Sequence, residues 1–454
     1  MAAVASPLNA RRALVLAALT AALLPLALWI GRAPLHLPLV LTAAGILAAA
    51  TILRAEAGLV ILIGSMLLSP ELALGSAGSG GIDRARDVIL RTEDLVLLLV
   101  GFAWLARMAI HKELGAVRRT RLNAAIAFYA ACCLFSTLIG IEAGRVRPIV
   151  GLCYVAKHIE YFFIFFITVN YVRRADQLRR LLVAVLGTAG LITAHAWWQI
   201  PQGIRPSAPF EGHAEPNTLG GYLVLMLAVS CGLALTVDRP GVRRACGMLA
   251  LLIVPALLAT LSRGSWLAFA VAIITLLALS PRRRLLAAAV IVAVALLLVA
   301  TPRKVQERID YTFTAEGQDA VRVGRIQLDA SSSARITSWR GALEGFVRHP
   351  VAGWGITGYG FLDAQYFRVL VELGAFGFAS FLLLLMTCGW LFLRAYRTLV
   401  DPLHRGLALG LVAGLAGLMT HAITANTFLI VRIMEPFWLL TGLLVAAGGL
   451  EETS

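Results

Sequence analysis

The sequence predicts an all-α polytopic membrane protein with about 12–14 transmembrane helices and one long periplasmic loop that contains an amphipathic helix. The first observation is composition: 59% of the 454 residues are hydrophobic and only 14% are charged, which is outside the range of soluble proteins. The second is that apolar runs of bilayer length recur along most of the chain. The third is a single long hydrophilic interruption over residues 301–365.

The apolar runs give about 14 candidate spans, since a bilayer core requires roughly 20 residues per helix. The count falls to about 12 or 13 if a weak early span is re-entrant or if two short spans form one broken helix. The candidates are Ala13–Ile30, Leu35–Leu53, Ala57–Leu74, Leu95–Ile110, Asn123–Ile141, Ile149–Val169, Leu181–Ile200, Asn217–Val237, Cys246–Leu261, Ser265–Leu279, Leu285–Ala300, Tyr366–Leu393, Gly406–Thr424 and Phe428–Gly448.

This pattern divides the chain into three regions. Residues 1–300 carry the first spans with short loops, residues 301–365 form the long loop, and residues 366–454 carry the last spans. Within the loop, apolar side chains at helical spacing predict an amphipathic helix over Arg335–Arg348 that ends at His349 and Pro350. Its apolar face, formed by Ile336, Trp339, Leu343, Phe346 and Val347, is expected to rest on the helix bundle or in the membrane interface.

The net charge of +15 is explained by the orientation of the protein in the membrane. A nucleic-acid footprint requires Lys and Arg on one soluble face, whereas here many lie in alternate short loops, so no nucleic-acid partner is expected. The positive-inside rule makes these loops cytoplasmic and places residues 142–148, 201–216 and 301–365 on the other side. The basic loop residues are Lys112, Arg118, Arg119, Arg121, Arg173, Arg174, Arg179, Arg180, Arg239, Arg243, Arg244, Arg282, Arg283, Arg284, Arg394, Arg397 and Arg405.

Two arginines on the predicted outer side are candidates for anion binding. Arg205 lies in a loop rich in Pro and Gly before a helix expected to be capped by Asn217 or Thr218, and a helix N-terminus beside a guanidinium suits an anion. Its alternative is an ordinary solvated loop residue. Arg263 is flanked by apolar sequence, where insertion of an arginine costs about 2.5–3.5 kcal/mol, so it needs a partner or it snorkels to the interface.

The segment after the loop helix holds further polar candidates. Four glycines between Gly353 and Gly360 permit close backbone approach to a ligand. Arg368 and Glu372 are four residues apart, so they share a helix face and are expected to form an ion pair. The spacing of Gly374 and Gly377 is typical of a close contact between two helices.

A second polar group lies inside a predicted span. Lys157, His158 and Glu160 are costly in a membrane, and such residues are usually functional or paired. They either form a polar cluster for a lipid carrier or pair with His195 or Glu435.

Three motifs in this order resemble the O-antigen ligase and polymerase superfamily of bacterial membrane glycosyltransferases. They are Thr-Leu-Ser-Arg263-Gly-x-Trp, His349-Pro-x-x-Gly-x-Gly, and Gln365-Tyr-x-Arg-x-Leu-x-Glu-Leu-Gly-x-x-Gly377. The resemblance runs from about Arg205 to Gly377, and each motif alone is short. Their order and the long loop between them make the set specific.

The resemblance implies a reaction and its partners. The expected activity is transfer of a glycan from an undecaprenyl-diphosphate carrier to an acceptor hydroxyl, on the periplasmic side of the bacterial inner membrane. It implies an inverting, metal-independent enzyme without a cofactor, in which Arg205 and Arg263 hold the diphosphate. The partners are then the lipid-linked glycan, a glycan or lipid acceptor, and membrane lipids.

The sequence departs from the ligases of this superfamily at one point. Ligases carry a His followed by Asn, Ser or Gln at the start of the span after the long loop, and here Asp363 and Ala364 stand at these positions. This favours a polymerase that joins repeat units over a ligase to lipid A-core. A third hypothesis, a lipid-linked glycan flippase or other transporter, predicts charges along a path through the bundle instead of at one face.

The transfer also requires a base that accepts the proton of the acceptor hydroxyl. Asp363 is the first candidate, with a helix N-cap as its alternative role. His349 is the second candidate, with the ending of the loop helix as its alternative. Glu211 and His213, in the Arg205 loop, are more distant candidates, and Arg368 and Glu372 are expected to support the site.

Overall fold

The computed structural model describes residues 50–51, 55–68, 71–72, 90–110, 118–210, 214–300, 322–323, 326–327, 330–360 and 362–453. These residues form 13 α-helices. They are α1 (Ala55–Leu68), α2 (Thr92–Ile110), α3 (Leu122–Glu142), α4 (Pro148–Tyr171), α5 (Ala175–Gln199), α6 (Pro216–Thr236), α7 (Pro240–Ala259), α8 (Arg263–Leu279), α9 (Arg283–Ala300), α10 (Ala330–Arg348), α11 (Gln365–Thr398), α12 (Pro402–His421) and α13 (Val431–Thr453).

Extended structure is minor in the part of the chain that is described. Strand β1 (Glu71–Leu72) pairs with β2 (Leu90–Arg91), and β3 (Arg322–Val323) pairs with β4 (Ile326–Gln327), both antiparallel. Short 3-10 helices follow α5 at Ile200–Gln202 and precede α13 at Thr427–Leu429. The predicted all-α fold is therefore confirmed.

Helices lie at the predicted spans from Leu95–Ile110 onwards, whereas the predicted span Ala57–Leu74 is too long, because α1 ends at Leu68 and Glu71–Leu72 form a strand. Eight of the described helices are long and apolar enough to cross a membrane. The predicted span Ala13–Ile30 lies outside the described residues, as does Leu35–Leu53 apart from residues 50–51. The protein is a multi-pass membrane protein.

Helix α6 forms the centre of the bundle. Its sequence contains no charged residue, and nearly all of it is buried, as expected for a helix that is apolar on every side. It packs against α7, α8 and α12. The backbones of α6 and α12 touch, since a Cβ atom on Gly232 would lie 2.4 Å from the carbonyl oxygen of Gly406; only small residues permit such an approach.

The basic loops gather at one end of the bundle, which we call the basic end (residues 118–121, 172–174, 237–240, 280–282 and 399–401). Arg282 donates to Asp238 at 3.1 Å across two of these loops. The Arg118 backbone N–H donates to the Asn170 side chain at 2.9 Å. We call the opposite end, with the described residues 143–147, 200–210, 214–215, 260–262, 349–360, 362–364 and 422–430, the loop end.

Helix α10 lies at the loop end and begins five residues before the predicted Arg335. Its packing face differs from the predicted one. Ala342 is 1% exposed and Trp339 stacks on Phe367 of α11. Leu343 and Val347 are 46% and 73% exposed, so only part of the predicted apolar face contacts the bundle.

Helix α11 is broken at Gly374, where φ is 68° and ψ is −169°. The break leaves backbone carbonyls of the first part without helical partners, and the segment 349–360 supplies donors to them. Trp354 N donates to Val371 O at 3.0 Å, and Gly355 N donates to Glu372 O at 2.8 Å. The interpretation of Gly374 and Gly377 as a contact between two helices is thus wrong, because Gly374 permits a helix break against a loop.

We expect Gly374→Ala to destabilise the protein by about 3 kcal/mol or more, since this backbone conformation is accessible almost only to glycine. A Cβ atom at this position would also lie 2.3 Å from the Val351 carbonyl oxygen. The matched control is Gly187→Ala in α5, where a Cβ atom meets nothing within 4 Å. Thermal unfolding in detergent should show a lower midpoint for Gly374→Ala alone; equal midpoints would contradict the role given to the break.

Candidate functional site

The Arg205 side chain is docked on the end of α7. Its Nε and Nη2 atoms both donate to the Thr260 carbonyl oxygen, at 3.1 and 2.9 Å. The loop that carries it is anchored where Ser207 N donates to the Gln199 side chain at 3.0 Å. Arg205 is exposed, and its contact lies only three residues before Arg263.

Arg263 is the first residue of α8 and is half-buried. Ser262 caps the helix, and its side chain accepts from Ser265 N at 3.3 Å. A helix N-terminus carries partial positive charge, so a cation at this position is unfavourable unless an anion is nearby. The start of α8 together with Arg205 is therefore suited to bind an anion.

A buried polar chain connects this turn to the α12–α13 connection. The Ser265 hydroxyl lies 3.2 Å from His421 Nε2, and His421 Nδ1 lies 2.8 Å from the Thr427 hydroxyl. His421 is fully buried. The sequence interpretation missed His421, because a histidine at the end of an apolar span is not a specific signal.

The same connection holds Asp363 in place. Asn426 Nδ2 donates to Leu362 O at 2.7 Å, and Gln365 N donates to Ala422 O at 3.0 Å. The backbone on both sides of Asp363 is thus fixed to the turn that follows His421. A continuous series of contacts joins Arg205, Arg263 and Asp363 at the loop end.

Asp363 does not cap a helix. Helix α11 begins at Gln365, and its N-cap is Ala364 with no side-chain cap, so the alternative role predicted for Asp363 is wrong. Its Oδ2 atom instead lies 3.8 Å from Arg335 Nη2, and its side chain is 41% exposed. Desolvation raises the pKa of Asp363 above its ordinary value, opposed by the charge of Arg335 and reinforced by that of Glu215.

His349 lies at the other end of α10. Its N–H donates to Phe346 O at 3.0 Å, so it continues the end of the helix as its alternative role predicts. Its Nε2 atom is 2.8 Å from Arg145 Nη1, and its ring packs edge-on against Trp354. An arginine can only donate, so Nε2 accepts and the proton is assigned to Nδ1. Desolvation and the charges of Arg145 and Arg348 lower the pKa of His349.

The two predicted bases do not share a site. Asp363 contacts Arg335 near the start of α10, and His349 follows Arg348 at its end. The helix between these points is about 20 Å long. Asp363 therefore lies on the α12–α13 connection, whereas His349 packs on the α3–α4 connection.

Arg368 and Glu372 form the expected ion pair. Arg368 Nε donates to Glu372 Oε2 at 3.2 Å, and Glu372 Oε1 accepts from Thr357 N at 3.2 Å. Glu372 thus holds the glycine-rich segment on α11. Arg368 also lines a cavity of about 220 Å³ together with Lys157, His158 and Asn426.

The predicted polar cluster of Lys157, His158 and Glu160 contacts α2 through an ion pair. Lys157 Nζ lies 2.5 Å from Asp94 and 3.5 Å from Glu160. The pairing with His195 is wrong, because that ring lies against Trp198. Glu435 is fully buried, and neither of its carboxylate oxygens has a hydrogen-bond partner among the described residues.

Backbone strain is concentrated in the loops around the site. Three non-glycine residues in the described part of the chain have positive φ: Phe210 at 59°, Leu261 at 52° and Thr357 at 69°. They lie in the Arg205 loop, the Arg263 turn and the glycine-rich segment. Such conformations cost of order 1–3 kcal/mol each and are common at functional sites.

The two more distant candidates for the base, Glu211 and His213, lie outside the described residues.

Part of the chain is similar to a known protein family. Residues 248–382 match the family model described as O-Antigen ligase. The resemblance to the O-antigen ligase and polymerase superfamily is confirmed. The O-antigen ligase match includes Arg263, His349 and Asp363, whereas Arg205 precedes it. No curated protein matches the chain.

Proposed function

We propose that this protein transfers a glycan from an undecaprenyl-diphosphate carrier to an acceptor hydroxyl at the periplasmic face of the inner membrane. The observation that carries the proposal is the series of contacts that joins Arg205, Arg263 and Asp363 at the loop end. The family match over residues 248–382 supports the same class of reaction.

The reaction requires negative charge to be stabilised on the leaving diphosphate. The acceptor oxygen forms a bond to sugar C1, the bond from C1 to the diphosphate oxygen breaks, and the diphosphate leaves with the electron pair. Fixed guanidinium groups stabilise that charge effectively in a site with little water. Arg205 and Arg263 take this role, since Arg263 begins α8 and the Arg205 guanidinium contacts Thr260, three residues before it.

Asp363 is the proposed general base. It accepts the proton of the acceptor hydroxyl, and a carboxylate with a raised pKa is a better base than an ordinary aspartate. His349 is less suited to this role, because its Nε2 atom already accepts from Arg145. We assign His349 to positioning the end of α10.

The periplasmic assignment follows from charge. The arginines of the basic end predict that this end is cytoplasmic, and the proposed site lies at the other end. The carrier diphosphate would then meet the site in the outer leaflet.

A transporter remains the non-enzymatic alternative, and the buried charges favour an enzyme. Among the described spans, Glu93 and Asp94 are in the first turn of α2, Glu435 is near the start of α13, and Glu372 precedes the break in α11. The fully buried carboxylates therefore lie towards the loop end. Glu160, half-buried in the middle of α4, is paired with Lys157.

Polymerase activity is favoured over ligation to lipid A-core, because Asp363 stands where ligases carry histidine. The test incubates purified protein with lipid-linked repeat units, first alone and then with lipid A-core. We expect a ladder of products from repeat units alone. Transfer in the second mixture only would identify a ligase, and no reaction in either would contradict the proposed enzyme.

We expect Arg205→Ala and Arg263→Ala each to reduce transfer at least 100-fold, since each removes charge stabilisation worth about 3 kcal/mol at the leaving group. Arg243→Ala, at the basic end, is the control and should retain activity. Protein level and membrane insertion are measured alongside. Full activity in both single variants would exclude the diphosphate clamp.

Asp363→Asn should lower the transfer rate about 10²–10⁴-fold, the usual contribution of a general base, and Asp363→His should be partly active. In the wild type, activity should rise with pH through the raised pKa of Asp363, because only the ionised carboxylate accepts the proton. Arg335→Gln removes a charge that lowers this pKa, so the acidic limb should move to higher pH. A fully active Asn variant, or an unmoved limb, would remove Asp363 as the base.

A further inference from the structure

A second polar cavity lies at the basic end, away from the proposed site. Its volume is about 540 Å³, and it is lined by Arg118, Arg119, Arg121 and Arg394 beside Trp390. Its remaining wall comes from the end of α13 and from the end of α11 with the connection that follows it. Neither the sequence interpretation nor the proposed transfer reaction uses this cavity.

Two of the arginines share one aromatic ring. The Arg121 guanidinium carbon is 4.6 Å from the centre of the Trp390 ring, and that of Arg394 is 5.3 Å from it. The two guanidinium carbons are therefore about 10 Å apart at most. Both cations line the same cavity beside one ring, so a phosphate group bound there has guanidinium donors from two arginines.

The positions of the arginines along their helices point to the same conclusion. Arg394 is near the C-terminal end of α11, where a cation is favourable. Arg119 and Arg121 instead precede the N-terminus of α3, where the helix dipole disfavours positive charge. Basic residues at that position are stabilised when a negative group lies beside them.

The Glu451 carboxylate in the cavity wall is bonded to other groups. Glu451 accepts from Val400 N at 2.7 Å and contacts His404 at 2.7 Å. Within the described ranges, Arg119, Arg121 and Arg394 have no salt bridge to a carboxylate. The other acid of the wall, Glu452, is exposed.

We infer that this cavity binds the phosphate headgroup of an anionic phospholipid in the leaflet at the basic end. A lipid is favoured over a soluble anion because Trp390 is 47% exposed and the half-buried Leu391 also lines the cavity, which offers an apolar surface to acyl chains. Tryptophan is typical of the membrane interface, and basic pockets between helices on the cytoplasmic side suit anionic headgroups. The site is independent of the proposed glycan transfer.

The test measures lipids retained by the full-length protein, with native mass spectrometry after reconstitution in mixed phosphatidylglycerol and phosphatidylcholine. We expect the wild type to retain phosphatidylglycerol preferentially. The double variant Arg121→Gln/Arg394→Gln should bind it at least about tenfold more weakly, because two basic contacts are lost. Trp390→Leu, which keeps every charge, should also weaken retention.

The controls separate this site from bulk surface charge. Arg243→Gln removes one arginine of the basic end that does not line the cavity, and it should leave retention unchanged. Thermal unfolding in phosphatidylcholine alone checks that the variants fold. Equal retention of the two lipids by the wild type, or an equal effect of Arg243→Gln, would overturn the inference. Displacement of phosphatidylglycerol by inorganic phosphate would overturn the lipid assignment in favour of a free anion site.

Discussion

The break in α11 controls the geometry of the loop end. A carbonyl without a donor is costly within a membrane protein, so an interrupted helix requires an external set of N–H groups. The glycine-rich segment after α10 supplies them through Trp354 and Gly355, and Ser136 of α3 donates to the Glu372 carbonyl at 2.8 Å. These bonds fix the glycine-rich segment on the bundle, and the bond from Gln365 N to Ala422 O holds the start of α11, with Asp363 just before it, on the α12–α13 connection.

A second constraint is electrostatic and appears at both ends of the bundle. Arg263 begins α8 and Arg121 precedes α3, so each places a cation where the helix dipole already supplies positive charge. The proposed ligand is a phosphoryl group in both cases. At the loop end it would be the diphosphate of a glycan carrier, and at the basic end the headgroup of a phospholipid.

The proposed chemistry depends on the separation of two groups that looked equivalent in the sequence. His349 and Asp363 both flank the glycine-rich segment, yet α10 places His349 against Arg145 and Asp363 beside Arg335. The first pair holds the imidazole neutral and occupied. The second places Arg335 beside a carboxylate whose pKa is raised by desolvation.

The sequence by itself determined the multi-pass helical fold, the gathering of basic loops at one end, the loop helix and the pair Arg368–Glu372. These features follow from hydropathy and from spacing within one helix, which are local properties of the chain. Other features depended on the tertiary structure. They are the break at Gly374, the contact of Arg335 with Asp363, the burial of His421, the absence of a helix cap at Asp363, and the separation of Asp363 from His349. Each of these results from contacts between segments that are far apart in the chain, where backbone groups find partners that no local pattern specifies.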